Sequence, residues 1–213
     1  MRVRSWLGVS KKRQRQLAWL LELSLVGFVF IGIDRGSPGV VVNSLVGLAV
    51  TQIPALLERD YDITMDPALV LWITAAVFLH ALGTLGPYRS FWWWDHLTHG
   101  FSSSIVAAVG YAFVRAVDEH IQDVHFPPAF VFCFILLVVL AFGVAWEVLE
   151  FAIAGAASLT GTGAVLTQYG LGDTMLDLLF DTVGGVLVAV WGTAYLTDVV
   201  GEISVRLDAR RSE

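Results

Sequence analysis

Three short strings hold most of the side chains in this sequence that are suited to chemistry. The first is Asp95-His96-Leu97-Thr98-His99-Gly100, where helical spacing sets Asp95 and His99 (i, i+4) and His96 and His99 (i, i+3) on one face. The second is Trp146-Glu147-Val148-Leu149-Glu150, with its two carboxylates again at i, i+3. The third runs from Gly172 to Asp181 and lines Asp173, Asp177 and Asp181 along one stripe at i, i+4, i+8. Imidazole mixed with carboxylate suits Zn, Mn, Fe or Ni, while carboxylate alone suits Mg or Ca. Two imidazoles and six carboxylates exceed what one tetrahedral ion uses, so one octahedral ion or two bridged ions fit the set better. The expected cofactor is a divalent metal ion held by His99, Glu147, Glu150, Asp177 and Asp181. Asp95 or His96 is then the expected general base, and Arg89 is placed to meet an anionic headgroup.

These strings lie in a sequence built for lipid. Of 213 residues, 56% are hydrophobic and only 15% charged, against about 25% charged in soluble domains; the mean hydropathy is +0.71. A membrane span needs roughly 20 mostly apolar residues. Six such stretches are expected, at about 17–33, 39–57, 67–86, 99–117, 128–155 and 173–197. The turn Asp34 to Gly39, the acidic loop Glu58 to Asp66, Pro87-Tyr88-Arg89-Ser90, Asp118 to Pro128 and the stretch 160–172 separate them. The fold class is therefore an all-α polytopic transmembrane helical bundle. A basic cytoplasmic segment at 1–16 and a cytoplasmic tail at 198–213 flank the six-helix domain at 17–197. The first stretch follows a basic segment, as a signal peptide does, but no small-residue cleavage site precedes Asp34, and it is expected to be a retained helix. A net charge of -6 argues against a nucleic-acid partner. The single cysteine, Cys133, excludes an intrachain disulfide and a thiolate metal site.

With both termini cytoplasmic, the inner segments hold eleven Lys and Arg residues and the outer ones only Arg35 and Arg89, as the positive-inside rule requires. The chain is thus expected in the cytoplasmic membrane, as a multi-pass protein among lipids. At a rise of about 1.5 Å per residue, Glu147 lies roughly 28 Å up its outward-running helix from Pro128, and Asp181 roughly 12 Å down its inward-running one. His99 starts its own inward-running span, and His80 rises to the same level. All three strings therefore meet in one leaflet, the outer one.

Plainer readings exist for each. Asp95 and Asp173 have the positions of helix N-caps, and Glu147 and Glu150 of side chains snorkelling to the interface. Ser102-Ser103-Ser104 and Gly184-Gly185 read as close-packing surfaces between helices. Asp177 and Asp181, inside an apolar helix, are harder to read as structural. Buried carboxylates stay ionised only when paired. Three functions follow: a metal-dependent hydrolase or transferase acting on a lipid or lipid-linked phosphate, a structural protein locked by a buried carboxylate cluster, or a cation- or proton-coupled transporter.

The motifs Asp95-His96-x-x-His99, Ala141-Phe142-x-x-x-Trp146-Glu147-x-x-Glu150 and Thr167-Gln168-x-Gly170-x-Gly172-Asp173, in this order over about residues 80–190, resemble the YjdF-like family of predicted inner-membrane proteins. The Gln168-to-Asp173 interval is two residues longer than that family's pattern. The resemblance implies a membrane location and no particular reaction. The glutamate late in one helix followed by an aspartate-led final helix also bears a weaker likeness to VanZ-like membrane proteins.

Overall fold

The computed structural model describes residues 9–121, 124–166 and 168–191, and among them there are eight helical segments and no strand. The early basic residues Arg2 and Arg4, Trp6, Thr167, the end of the sixth stretch at 192–197 and the tail with Arg206, Arg210 and Arg211 lie outside the described residues.

Local chemistry sets where each helix begins. Helix α1 (Lys11–Asp34) starts at Ser10, whose hydroxyl accepts the Arg13 amide at 3.4 Å. Helices α2 (Pro38–Thr51) and α3 (Ile53–Tyr61) form one bent rod where a single span at 39–57 was expected. Pro54 has no amide proton to donate, and the Gln52 amide bonds one residue closer than the α pattern, to Ala49, at 3.2 Å. The rod continues through Glu58 and ends at Asp62 in the left-handed conformation, so the acidic loop is shorter than expected. Helix α4 (Pro67–Thr84) has Pro67 in its first turn and Asp66 as cap, accepting from the Ala68 amide at 2.9 Å. Pro87–Ser90, expected only to break a span, is a helical turn, α5. Helices α6 (Trp94–His120), α7 (Pro128–Thr160) and α8 (Leu171–Trp191) complete the bundle.

Among the described residues, five rods are long and apolar enough to cross a membrane: α1, the bent α2–α3 rod, α4, α6 and α7. The sixth expected span, α8, has 21 residues, a spanning length, but carries three aspartates; it packs along both α6 and α7. The up-and-down order is visible in end-to-end contacts. Lys11 pairs with Asp66 at 2.8 Å at one end, and the Asn43 amide donates to the Val165 carbonyl at 2.7 Å toward the other.

Burial is inverted relative to a soluble protein. Phe30, Phe113, Leu137, Phe151 and Leu159 face outward, while His96, Glu147, Asp177 and Asp181 are buried. Such a surface is stable only against lipid, with polar groups satisfied inside the bundle. Toward the far end of α6, α7 and α8, an apolar cluster that includes Ala107, Tyr111, Ile135, Val139 and Val188 closes the core.

The seam between α6 and α8 is where glycine is required. A Cβ at Gly184 would overlap the Gly100 carbonyl and the Ser103 hydroxyl of α6, while one at Gly185 would press on Val139 of α7 at 3.2 Å. This agrees with the packing role expected of the serine and glycine runs. Gly184→Ala is therefore expected to cost about 1–3 kcal/mol through overpacking, read as a lower unfolding midpoint in mild detergent. An unchanged midpoint would mean that the two helices are not in such close contact.

Candidate functional site

The close approach of α6 and α8 brings the first and third strings together, and α7 supplies the second. Asp95 does not cap α6: the cap position is Trp93, with no side-chain cap bond, and Asp95 lies half-buried in the first turn. Asp173 is likewise not a cap. The amides of both Asp173 and Thr174 bond back to the Gly170 carbonyl at 3.1 Å, leaving Asp173 inside the first turn of α8. Glu147 and Glu150 do not snorkel; they are 5% and 8% exposed within the bundle.

His99 is the hub. Its Nδ1 lies 3.4 Å from Asp181 Oδ1. Its Nε2 lies 3.8 Å from both Asp95 Oδ1 and Glu147 Oε1. An N–H···O bond closes to 2.7–3.2 Å, so the Nε2 side is too wide for direct bonding. Donor atoms that share an ion at about 2.0–2.2 Å stand roughly 3–4 Å apart. Glu147 reinforces the point. Its Oε2 accepts the Thr174 hydroxyl at 2.6 Å, while its Oε1 is buried with no hydrogen-bond partner. A buried acceptor left unbonded costs about 1–3 kcal/mol or more, so an uncompensated Oε1 is unstable. Asp181 behind Nδ1 forms the carboxylate–histidine arrangement that orients a metal-binding imidazole. Helix α7 makes room for it at Gly143, where a Cβ would run into Asp181 Oδ2.

Asp95, His99 and Asp177 each offer a donor atom within 4.8 Å of the others, and so do His96, Asp173 and Asp177. His96 Nδ1 meets Asp177 Oδ1 at 2.8 Å, with the ring stacked on Phe180 at 5.3 Å. Glu150 Oε1 accepts the Trp146 indole N–H at 3.0 Å. Among the described residues, no Lys or Arg forms an ion pair with any of these carboxylates; the titratable nitrogen groups that face them are the histidine rings. Arg89 is exposed on α5, outside the buried cluster. It still acts on the loop beside the site. Burial pushes the Tyr169 phenol above its ordinary range, Asp95 adds to the rise and Arg89 opposes it.

Several residues here were not expected from the sequence. Thr174 holds Glu147 and receives the Gln168 amide at 3.3 Å; its signal was its place on the aspartate-bearing turn of α8. A second polar string adjoins the cluster. The Asn43 amide nitrogen donates to the Gly39 and Val165 carbonyls at 2.8 and 2.7 Å, so Asn43 Oδ1 is the acceptor for His80 Nε2 at 2.9 Å. His80 Nε2 therefore carries a proton and donates to Asn43, and the Tyr88 hydroxyl pairs with Nδ1 at 2.7 Å. Its ring meets Trp146 edge-on at 5.7 Å, at the level expected for it. Asn43, an amide within an apolar run, was the legible signal for this string; Tyr88 gave none.

The profile of a family described as predicted membrane protein (DUF2238) matches residues 16–198 and takes in all three strings. An uncharacterized protein of Thermotoga maritima is 32% identical over 137 residues, which is 62% of this chain and 65% of that protein; the chain thus spans less than two thirds of that relative's length. No solved structure matches. The YjdF-like resemblance agrees with these matches at the level of a membrane-protein family, and the likeness to VanZ-like proteins draws no support from them.

Proposed function

We propose, for a chain that belongs to the predicted membrane protein family DUF2238, the function of a metal-dependent hydrolase or transferase acting on a lipid or lipid-linked phosphate. The observation that carries this reading is the gap at His99. Nε2 stands 3.8 Å from Asp95 and from the unpartnered, buried Oε1 of Glu147. A divalent ion there, held by Asp95, His99, Glu147 and Asp177, answers both the spacing and the uncompensated charge. Asp181 then orients His99, and Trp146 keeps Glu150 beside the ion. This departs from the sequence-based roles at three points: Asp95 joins the ligands instead of acting as base, Asp181 moves behind the ligand, and Glu150, expected as a ligand, stands beside the ion on the Trp146 indole. When bound, the ion polarises a phosphoryl or acyl oxygen or activates water.

The charge bias supports a site in the outer leaflet of the cytoplasmic membrane, with both termini inside. A lipid substrate reaches it from within the bilayer, and Arg89 meets its headgroup at the rim. The apolar cluster on α6, α7 and α8 supports an enzyme over a transporter, because it fills the bundle below the site where an ion path would continue.

Elemental analysis of the protein purified in mild detergent, beside Glu147→Ala and Asp181→Ala, tests the proposal. A near-stoichiometric divalent metal in the parent, depleted in both variants, is the expected result and opens a screen of lipid phosphates. If the folded parent takes up no Zn, Mn or Mg on incubation, the metal reading is wrong. A protonated carboxylate cluster locking α6, α7 and α8 together is then the better account.

A further inference from the structure

We infer that the cluster takes two divalent ions, with Asp177 shared between them; this rests on the metal reading above and adds a second site to it. The donors fall into two sets that overlap only at Asp177: Asp95 with His99, and His96 with Asp173. The helices explain the pairing. Both α6 and α8 enter the bundle from the same end, so their residues descend together: His96 meets Asp177, and Gly100 lies against Phe180 and Gly184 further down. His96 and His99 are one turn apart on α6, and Asp173, Asp177 and Asp181 are each one turn apart on α8. Each imidazole thus has its own aspartates, with Asp177 at the junction.

Charge favours the same conclusion. Six carboxylates face two histidines here, and the described residues contribute no Lys or Arg ion pair. One divalent ion leaves most of that negative charge uncompensated in a site of low dielectric, where the alternative is protonation. A second ion beside His96 and Asp173 brings the cluster much closer to neutrality. Paired ions in such sites stand about 3.5–4 Å apart, a separation that a single bridging carboxylate spans. The unpartnered Glu147 Oε1 faces His99 from α7, on the side of the first ion. In this arrangement His96 is a ligand and not the general base expected from the sequence.

The full chain, stripped with chelator in mild detergent and reloaded with manganese(II), gives the test through metal content and low-temperature EPR. The expected parent binds two manganese ions per chain and shows an exchange-coupled spectrum. Asp173→Asn and His96→Ala are each expected to retain one ion with the spectrum of an isolated centre, and Asp177→Ala to lose both. One ion per chain in the parent, lost in Glu147→Gln, would overturn the second site and leave the single-ion reading standing. Two coupled ions surviving in both Asp173→Asn and His96→Ala would also overturn it. A parent that binds none removes the metal reading altogether. The parent's stoichiometry decides the matter even if a variant fails to fold.

Discussion

His99→Ala is expected to weaken divalent-metal binding at the first ion by about 100-fold or more. Losing even a residue that orients a ligand costs 10–100-fold in metal affinity, and His99 is itself the ligand on which the others converge. Its Nε2 faces Asp95 and Glu147, and its Nδ1 faces Asp181. Alanine removes the donor and leaves three carboxylates without the imidazole that faces them. The check is metal titration of the purified variant beside His80→Ala. His80 is also a buried-network histidine near the site, but both its nitrogens are engaged by Asn43 and Tyr88. His80→Ala is expected to lower stability by about 1–3 kcal/mol, through groups left unbonded, and to keep the metal. Equal metal loss in both variants would point to general unfolding and away from a ligand role for His99.

Removing the metal is expected to lower the unfolding midpoint of the whole bundle. A ligand present at 100 times its dissociation constant stabilises the folded state by about 2.7 kcal/mol. For a chain of this size each kcal/mol moves the midpoint by about 2–4 °C, so chelation corresponds to roughly 5–10 °C. The fall should be large because the cluster joins α6, α7 and α8 at one end, where the buried carboxylates repel once the ion is gone. Readdition of the metal should restore the midpoint. Acidification should mimic the chelator, because carboxylates and imidazoles bind metal only when deprotonated. A midpoint indifferent to chelator, metal and acid alike would refute a cation as the source of cohesion.

If both results hold, the architecture has a clear division of labour. One end of α6, α7 and α8 holds charge and chemistry, and the other end is a packed apolar floor. Helices α1 and α2 pack with α4, and the bent rod brings Asn43 against the Val165 loop beside His80. The Gly100–Gly184 contact keeps the two aspartate- and histidine-bearing helices close enough for their side chains to meet.

Much of this was legible in the sequence. Low charge and long apolar runs dictate helices in lipid, because only internally bonded backbone survives there. Alternation of direction then requires His99, Glu147 and Asp181 to reach one level, whatever the orientation. Helical periodicity puts Asp173, Asp177 and Asp181 on one stripe. What the sequence could not decide was rotation and partner choice. That Asp181 stands behind His99, that Asp173 groups with His96, that Trp146 takes Glu150 and that Thr174 takes Glu147 all depend on how the helices are turned about their axes. Those angles are set by close contacts between distant residues, His96 and Asp177 being 81 positions apart. The bend at Pro54 belongs to local sequence, and the string through Asn43, His80 and Tyr88 to tertiary packing. Periodicity assigns a residue to a face, but only packing decides which atom that face meets.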